Sequence, residues 1–465
     1  MRQTNFALAL LAAAVLTACG GSDDNNSAAP AAKPKFATQV TFGDSLSDVG
    51  TYAVGSVAAA GGGKFTINGN NTAINAALHG KNWTELLAAQ LALAAPCPAL
   101  TGLEGSAAQG FAVPVVENLA CTGYAMGGAR VTNPIGPQNK ALGSTIGALT
   151  HPVTRQITTH LTRNGGAFKP NSLVIVMAGG NDALILLGTL TAEATAAGAA
   201  EGAKVAGATF GKSLTTQLAA GATNPTTAAT AIGTAFATES ARPGSTTTTA
   251  IGAAVQAAAT QPGNSAVAAP AVHLPMVGKA QAEATVAGGA AGAAAGAAYG
   301  AANGPALVPK MAAAAAELAA LVRTQIVAKG ATHVVLVNLP DLALTPSSKV
   351  QSASSQQLIA GMVSGFNIAL RVGIDGLEDK VLYVDLATAS QDQIANPAKY
   401  GISNATTPAC GATVFGTSSL FCTGRSLINN NTGTYLFADD VHLAPFGQSL
   451  IAKQVAEAMV GKGWL

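Results

Sequence analysis

Apolar residues in this chain gather into short unbroken runs separated by stretches with helical spacing. The first run, residues 36–42 (Phe-Ala-Thr-Gln-Val-Thr-Phe), is rich in β-branched positions and ends at Gly43, which predicts a strand entering a turn. Residues 81–91 carry helical spacing, with Leu87 and Leu91 on one face. Ser172–Met177 is continuously apolar between Asn171 and Gly179, as suits a strand buried on both faces. Residues 311–329 predict an alanine-rich helix with Leu318, Leu321, Ile326 and Val327 along one side, ending at Gly330. A further buried-strand pattern follows at 333–338 and stops at Pro340; a helix is predicted over 366–372 and a strand over 381–385. Helices alternating with apolar strands predict an α/β fold whose parallel sheet is covered on both faces.

Residues 188–309 break this rhythm. They are rich in Ala, Gly and Thr and nearly free of aromatics. Gly288, Gly292, Gly296 and Gly300 recur every fourth residue, and so do Gly198, Gly202 and Ala206. On a helix that spacing leaves one bare face, which a second backbone can approach closely. The expectation is an insertion whose two flanks are helices packed against each other, with a looser middle rich in Thr and Pro.

The first residues concern address. Arg2 precedes an apolar run from Phe6 to Leu16, then Leu16-Thr17-Ala18-Cys19. A positive start, a short apolar stretch and small residues before a break describe a secretory signal. The cysteine after Leu-Thr-Ala resembles the bacterial lipoprotein signal, in which that thiol is lipidated. The resemblance implies that residues 1–19 are the signal and that Cys19 carries the anchor. Gly20, in place of the Asp that retains such proteins at the inner membrane, implies the outer membrane, facing either side. Residues 20–35 are polar and Gly/Pro/Ala-rich, a flexible tether. No later segment reads as a spanning helix.

Composition narrows the partners. Of 465 residues 49% are hydrophobic and 10% charged, the latter well below the roughly 25% of average usage. A net charge of +2 with no basic stripe argues against nucleic-acid binding. Setting Cys19 aside leaves Cys97, Cys121, Cys410 and Cys422, an even number for an oxidising compartment. Of the three possible pairings, Cys97–Cys121 with Cys410–Cys422 closes the shortest loops and is preferred. A metal site is disfavoured by the absence of a C-x-x-C pair and of a histidine cluster.

Four pieces carry candidate chemistry. Phe42-Gly43-Asp44-Ser45-Leu46-Ser47-Asp48 follows the first strand, where a sharp turn exposes a serine hydroxyl beside a backbone N–H. Gly127-Gly128-Ala129 lets backbone approach a substrate oxygen. Gly179-Gly180-Asn181-Asp182, just past a buried strand, offers a side-chain amide. Asp439-Asp440-Val441-His442 sets a carboxylate three residues before an imidazole. Asp440 is the competing acid and Gly127 the competing glycine. Plain structural roles are also open: Asp182 as a helix cap, Arg130 as a surface residue, and His79, His151, His160, His273 and His333 as surface or structural residues.

Together these pieces resemble the GDSL, or SGNH, hydrolase family over residues 36–187 and 310–465. Asn82-Trp83-Thr84-Glu85, Asn338-Leu339-Pro340-Asp341-Leu342, Asn396-Pro397 and Tyr400-Gly401 look like its branch of secreted bacterial lipases, acyltransferases and autotransporter esterases. The resemblance implies a three-layer α/β/α sandwich with a parallel, flavodoxin-like sheet. It implies Ser45 as nucleophile, His442 as general base and then acid, and Asp439 as the residue orienting His442. The oxyanion hole would be the N–H groups of Ser45 and Gly128 with the amide of Asn181. The implied activity is hydrolysis of lipidic or short acyl esters through an acyl-serine, with neither metal nor cofactor. Acyl transfer by the same residues and a non-catalytic surface scaffold are the alternatives, and residues 188–309 would form a lid or platform at the rim. Leu443 stands where the family often has proline after the histidine, and Gly123 where an asparagine is usual.

Overall fold

The computed structural model of the chain describes residues 36–69 and 75–465. The expected signal, the Cys19 anchor and the tether lie outside the described residues. The first part of the chain contains β1 (Thr38–Gly43), α1 (Gly55–Ala59), α2 (Trp83–Gln90), β2 (Leu100–Glu104), β3 (Ala112–Glu117), α3 (Val153–Arg163) and β4 (Ser172–Met177). A helical stretch follows: α4 (Gly180–Ala219), α5 (Pro225–Ser240), α6 (Thr247–Ala259), α7 (Pro270–Asn303) and α8 (Leu307–Leu321). The chain closes with β5 (His333–Val337), α9 (Pro346–Lys349), α10 (Ala353–Gly373), β6 (Val381–Val384), α11 (Leu386–Ala395) and α12 (Pro445–Gly461).

The four apolar runs read as strands form one parallel sheet in the order β1-β4-β5-β6. Alternate residues point to opposite faces of a strand, and here both faces are covered. Val40, Phe42, Val174, Val176, Val334 and Leu336 pack in one cluster with residues of α3, α8 and α10. Leu173, Ile175, Met177, Val335 and Val337 pack in another, with Trp83 and Leu87 of α2 and with α12. This is an α/β fold with a four-stranded parallel sheet, compatible with a three-layer sandwich. Sequence reading missed the antiparallel β2–β3 pair, whose strands are short and whose β3 is mostly exposed. Because all four core strands run the same way, the turns after β1 and β4 emerge side by side at the carboxyl edge of the sheet, where α/β folds place ligands.

The cysteines are bonded as Cys97–Cys121 and Cys410–Cys422, with Cα separations of 5.2 and 5.9 Å. The first bond staples 97–99 to the segment 121–124, which runs along the free side of β1: the Thr41 N–H donates to Thr122 O and the Tyr124 N–H to Thr41 O. Gly123 sits inside this staple, where a Cβ would come 2.8 Å from Cys97 O.

Residues 188–309 differ from expectation in their middle and in their borders. The flanks are helices in close contact: a Cβ on Gly198 would lie 2.7 Å from Gly292 O, and one on Gly202 would lie 2.9 Å from Gly288 O. Gly300 takes no part, since a Cβ there meets nothing within 4 Å. The middle is not loose but forms α5 and α6. The Thr and Pro residues that suggested a loop are helix starts: Pro225 follows the cap Asn224, and the Thr246 side chain accepts from the Thr249 N–H. Phe210, Leu214, Leu218, Ile232 and Val267 give these helices a core of their own. No linker sets the insertion apart, because position 188 falls within α4 and position 309 within α8. At 1.5 Å per residue, the far end of α4 lies about 60 Å from Gly180. The α5–α6 tip therefore lies far along the helix axis from the start of α4.

After the signal the sequence offers no convincing spanning helix, yet two helices of the structure have the length and composition to cross a membrane. Gly180–Ala219 and the continuous helical segment Pro270–Lys329 are both long and apolar enough to do so. The apolarity of the first is concentrated at its start, in the run Ala183-Leu184-Ile185-Leu186-Leu187, with alanines supplying most of the rest.

The glycine contact makes a measurable prediction. Gly292→Ala sets a methyl 2.8 Å from the Gly198 carbonyl, and it lowers stability by about 1–2 kcal/mol net of the helix propensity gained. Gly300→Ala, facing open space, is neutral or stabilising by up to about 1 kcal/mol. Urea unfolding followed by far-UV circular dichroism compares the two.

Candidate active site

The turn after β1 is held from several sides. Gly43 has φ +153°, and a Cβ there would sit 2.1 Å from Met177 O at the end of β4, so only glycine fits. Gln156 of α3, buried, grips both polar groups of Gly43: its Oε1 accepts from the Gly43 N–H at 2.8 Å and its Nε2 donates to Gly43 O at 2.8 Å. The buried carboxylate of Asp48 accepts from the N–H groups of Gly50 (2.9 Å) and Thr51 (2.8 Å), and across the site from Gly127 (2.9 Å). Asn82, which caps α2 in a capping box with Glu85, also donates to Asp48 O, and the Trp83 indole donates to Ser47 Oγ. Ser45 is thus presented by a turn with little freedom.

His442 meets that turn from the other end of the chain. Its Nε2 lies 2.9 Å from Ser45 Oγ, and its Nδ1 lies 2.9 Å from both oxygens of Asp439. Assigned from this network, Nδ1 carries the proton toward Asp439 and Nε2 accepts from the serine hydroxyl. Asp439 also accepts from the N–H groups of Ser419 (2.7 Å), Val441 (3.0 Å) and His442 (2.7 Å). Asp440 is exposed and lines the cleft, but the carboxylate bonded to His442 Nδ1 is that of Asp439. Burial opposes charge on both partners, yet the attraction and hydrogen bonds between them prevail. Together with the N–H donors they hold the Asp439 carboxyl well below the usual carboxylate range and raise the His442 imidazole above 6.5.

Asn181 and the glycine pair close the third side. Gly179 has φ +119°, and its missing side chain makes room for the Phe366 ring, 2.4 Å from a hypothetical Cβ. Asn181, buried in the first turn of α4, donates through Nδ2 to Ala129 O at 2.9 Å. One amide hydrogen then remains for a ligand. The Gly127 N–H is committed to Asp48, so the competing glycine is closed and Gly128, at φ +75°, is the candidate donor. Asp182 is not the expected cap of its own helix. Its carboxylate accepts from Arg130 Nε (2.9 Å) and the Val131 N–H (3.1 Å), pinning the Gly128 loop to α4. Arg130 is correspondingly not a surface residue, its side chain being only 15% exposed.

Ser45, Asn181 and His442 all line one cleft of about 480 Å³, with apolar walls that include Leu184, Leu187, Leu358 and Phe437. Gly128 does not line it; it lies one residue from the carbonyl that Asn181 holds. Asp44 does line it, and burial, aided by Asp182, pushes its carboxyl up to about 7 against the Leu46 N–H and His442. Sequence reasoning missed Gln156, Phe65 and Tyr52. The Phe65 ring lies 4.9 Å from that of His442, and the Tyr52 hydroxyl donates to Gly127 O. A Cβ on Gly127 would strike Phe65 at 2.2 Å, so that glycine serves the aromatic packing over the imidazole. The available signal was thin: one phenylalanine after three glycines. His160, among the candidate structural histidines, packs between Phe42, Tyr124 and Phe168.

No family model matches the chain. It is similar to the GDSL esterase/lipase APG of Arabidopsis thaliana, at 25% identity over 150 residues, covering 30% of this chain and 41% of that protein. The chain therefore matches well under two thirds of that relative. At this level the likeness supports a relationship to GDSL esterase/lipases and to ester hydrolases in general.

The histidine's environment predicts a titration. By NMR of the ring Cε1–H, His442 loses its proton at a midpoint above 6.5, because the Asp439 carboxylate favours the cation. In Asp439→Asn the carboxylate is gone and burial remains, so the midpoint falls below 6.5.

Proposed function

We propose that this chain is a serine esterase of the GDSL, or SGNH, type, hydrolysing carboxylic esters through an acyl-serine. The observation that carries the reading is the relay Ser45 Oγ–His442 Nε2, with the other imidazole nitrogen on Asp439. Ser45 Oγ attacks the ester carbonyl carbon while its proton passes to His442 Nε2. The carbonyl electron pair moves onto oxygen, and that oxyanion faces the Ser45 N–H and the Asn181 amide, which line the cleft, with the Gly128 N–H as the third donor the family resemblance implies. The positive end of the α4 dipole adds to the same attraction. Collapse breaks the bond to the alcohol oxygen, which takes the proton from His442 and leaves. Water then attacks the acyl-serine, giving its proton to His442; the carboxylic acid departs and Ser45 Oγ recovers the proton. Asp439 stays ionised throughout and stabilises the transient imidazolium. In this reading the enzyme is anchored by lipid at Cys19 and works at the outer membrane. That part rests on the N-terminal sequence alone.

Ser45→Ala abolishes labelling by a fluorophosphonate probe and lowers kcat on nitrophenyl acetate by about 10⁴-fold or more. Asn181→Ala lowers kcat by about 10²–10³-fold. Asp439→Asn loses about 10⁴-fold, the wrong tautomer being favoured, whereas Asp440→Asn stays within about threefold of the parent. Catalysis needs neutral His442, so kcat/KM falls with decreasing pH along a limb whose midpoint lies above 6.5. An active Ser45→Ala protein would refute the assignment.

A further inference from the structure

One wall of the cleft is a single helix face. Asn181, Leu184, Leu187, Gly188 and Thr191 all line the cleft and recur at intervals of one or three residues along the same side of α4. That face changes from amide to apolar within one turn and runs for about 15 Å. Leu358 of α10 lines the same cleft, and its Cδ2 lies 3.0 Å from the Cβ position of Gly304. Leu190, which also lines the cleft, has its Cδ2 3.7 Å from that same point, so Leu190 and Leu358 both pack at Gly304. A second arm is lined by Leu386 and Ile394 of α11 with Leu436 and Phe437, on the chain leading to His442.

Chemistry assigns the arms. The leaving oxygen must reach His442 Nε2 to be protonated, so the alcohol belongs on the side of His442, with Phe437 and α11. The carbonyl oxygen belongs at Asn181. The remaining substituent of the carbonyl carbon then runs away from His442 along α4. We infer that the first three turns of α4 are an acyl-chain groove, and that the substrates are esters of straight acyl chains of about ten to twelve carbons. An extended chain advances about 1.3 Å per methylene for C–C bonds of about 1.5 Å, which matches the 15 Å face. The inference rests on the serine-esterase reading and adds the substrate class to it. It also gives the base of the insertion a role: the helix that projects outward as a stalk is, at its root, the gauge of chain length.

Gly188 offers the test, because a Cβ there meets nothing within 4 Å and the position lines the groove. A larger side chain enters without displacing backbone, and removing a glycine from a helix interior favours the helix. The measurement is kcat/KM on nitrophenyl acetate, butyrate, octanoate, decanoate and dodecanoate, each kept below its micelle concentration. The parent protein prefers the decanoate and dodecanoate. Gly188→Phe lowers the dodecanoate-to-butyrate ratio by about tenfold or more, and Gly188→Leu lies between it and the parent. Gly207→Phe, on the same helix where a Cβ also meets nothing within 4 Å and outside the cleft, keeps the parent profile. Should the Phe variant not fold, the Leu variant carries the comparison. A ratio unchanged in both variants, or a parent profile flat beyond butyrate, overturns the groove while Ser45-dependent hydrolysis leaves the esterase reading intact. Turnover that survives Ser45→Ala overturns both.

Discussion

The hydrogen bond between Ser45 and Nε2 of His442 joins positions 397 residues apart, and the rest of the structure can be understood by asking what holds its ends 2.9 Å from each other. Both ends are docked on the same few atoms at the start of α2. The turn that carries Ser45 receives hydrogen bonds from the Asn82 amide and the Trp83 indole. The helix that follows His442, α12, offers buried Gln448, whose Oε1 accepts from the Trp83 N–H at 3.1 Å. Trp83 is itself fully buried among residues of the sheet and α12. Loss of that indole would free both ends at once. The disulfides act on the same geometry from outside. Cys97–Cys121 secures the segment leading to Gly127 and Gly128, and Cys410–Cys422 encloses Ser419, whose N–H holds Asp439.

Four carboxylates are buried around this bond, and burial alone would raise all of them. Only Asp439 ends below its ordinary value, because it has both an imidazole and three N–H donors. Asp48 has three N–H donors, and Asp182 has Arg130 and one N–H; for both, burial still wins. Asp44, with one N–H donor, is pushed by burial up to about 7. The consequence is an ordering of charge. Near neutral pH the carboxylate best able to stay ionised is the one on His442 Nδ1, and the one beside Ser45 is close to giving its charge up. An ionised Asp44 would raise His442 further, so its protonation also sets how readily the imidazole is neutral and able to accept from serine.

Much of this was legible in the chain because it depends on local pattern. Strands buried on both faces announce themselves as unbroken apolar runs, as β4, β5 and β6 do; β1, interrupted by Gln39 and Thr41, is legible from its β-branched positions and the glycine that ends it. The turns that place Ser45, Asn181 and His442 follow short motifs whose glycines have backbone reasons, as at Gly43 and Gly179. What was not legible depends on contacts between distant segments. Nothing near Gln156 indicates that its amide will clasp Gly43, and nothing near Arg130 indicates that Asp182 will bury it. The middle of the insertion failed for another reason. Thr and Pro suggest a looser stretch, but at the start of a helix the same residue types are starters, as Pro225 and Thr246 are, and only the helix that follows decides which. Gly300 continues the four-residue spacing beyond the point where the partner helix is near, so period alone overstates the contact.

The continuity of α4 decides how the insertion can influence the cleft. Lids that gate active sites hang on loops whose backbone angles absorb the motion. Here the first turn of α4 holds Asn181, its second and third turns wall the cleft, and the helix goes on without a break into the stalk. The stalk is stiffened by backbone-to-backbone packing at Gly198, Gly202, Gly288 and Gly292, which leaves no side-chain layer to slide. Any displacement of the α5–α6 tip must therefore either bend α4 or turn it about its axis. A turn of the helix would move Asn181 and Leu187 together, changing the amide and the apolar wall in the same motion. The insertion is thus better regarded as an extension of the site's own scaffold than as a cover placed over it. Its glycine faces are what keep the long helix straight enough for its root to hold an amide in place.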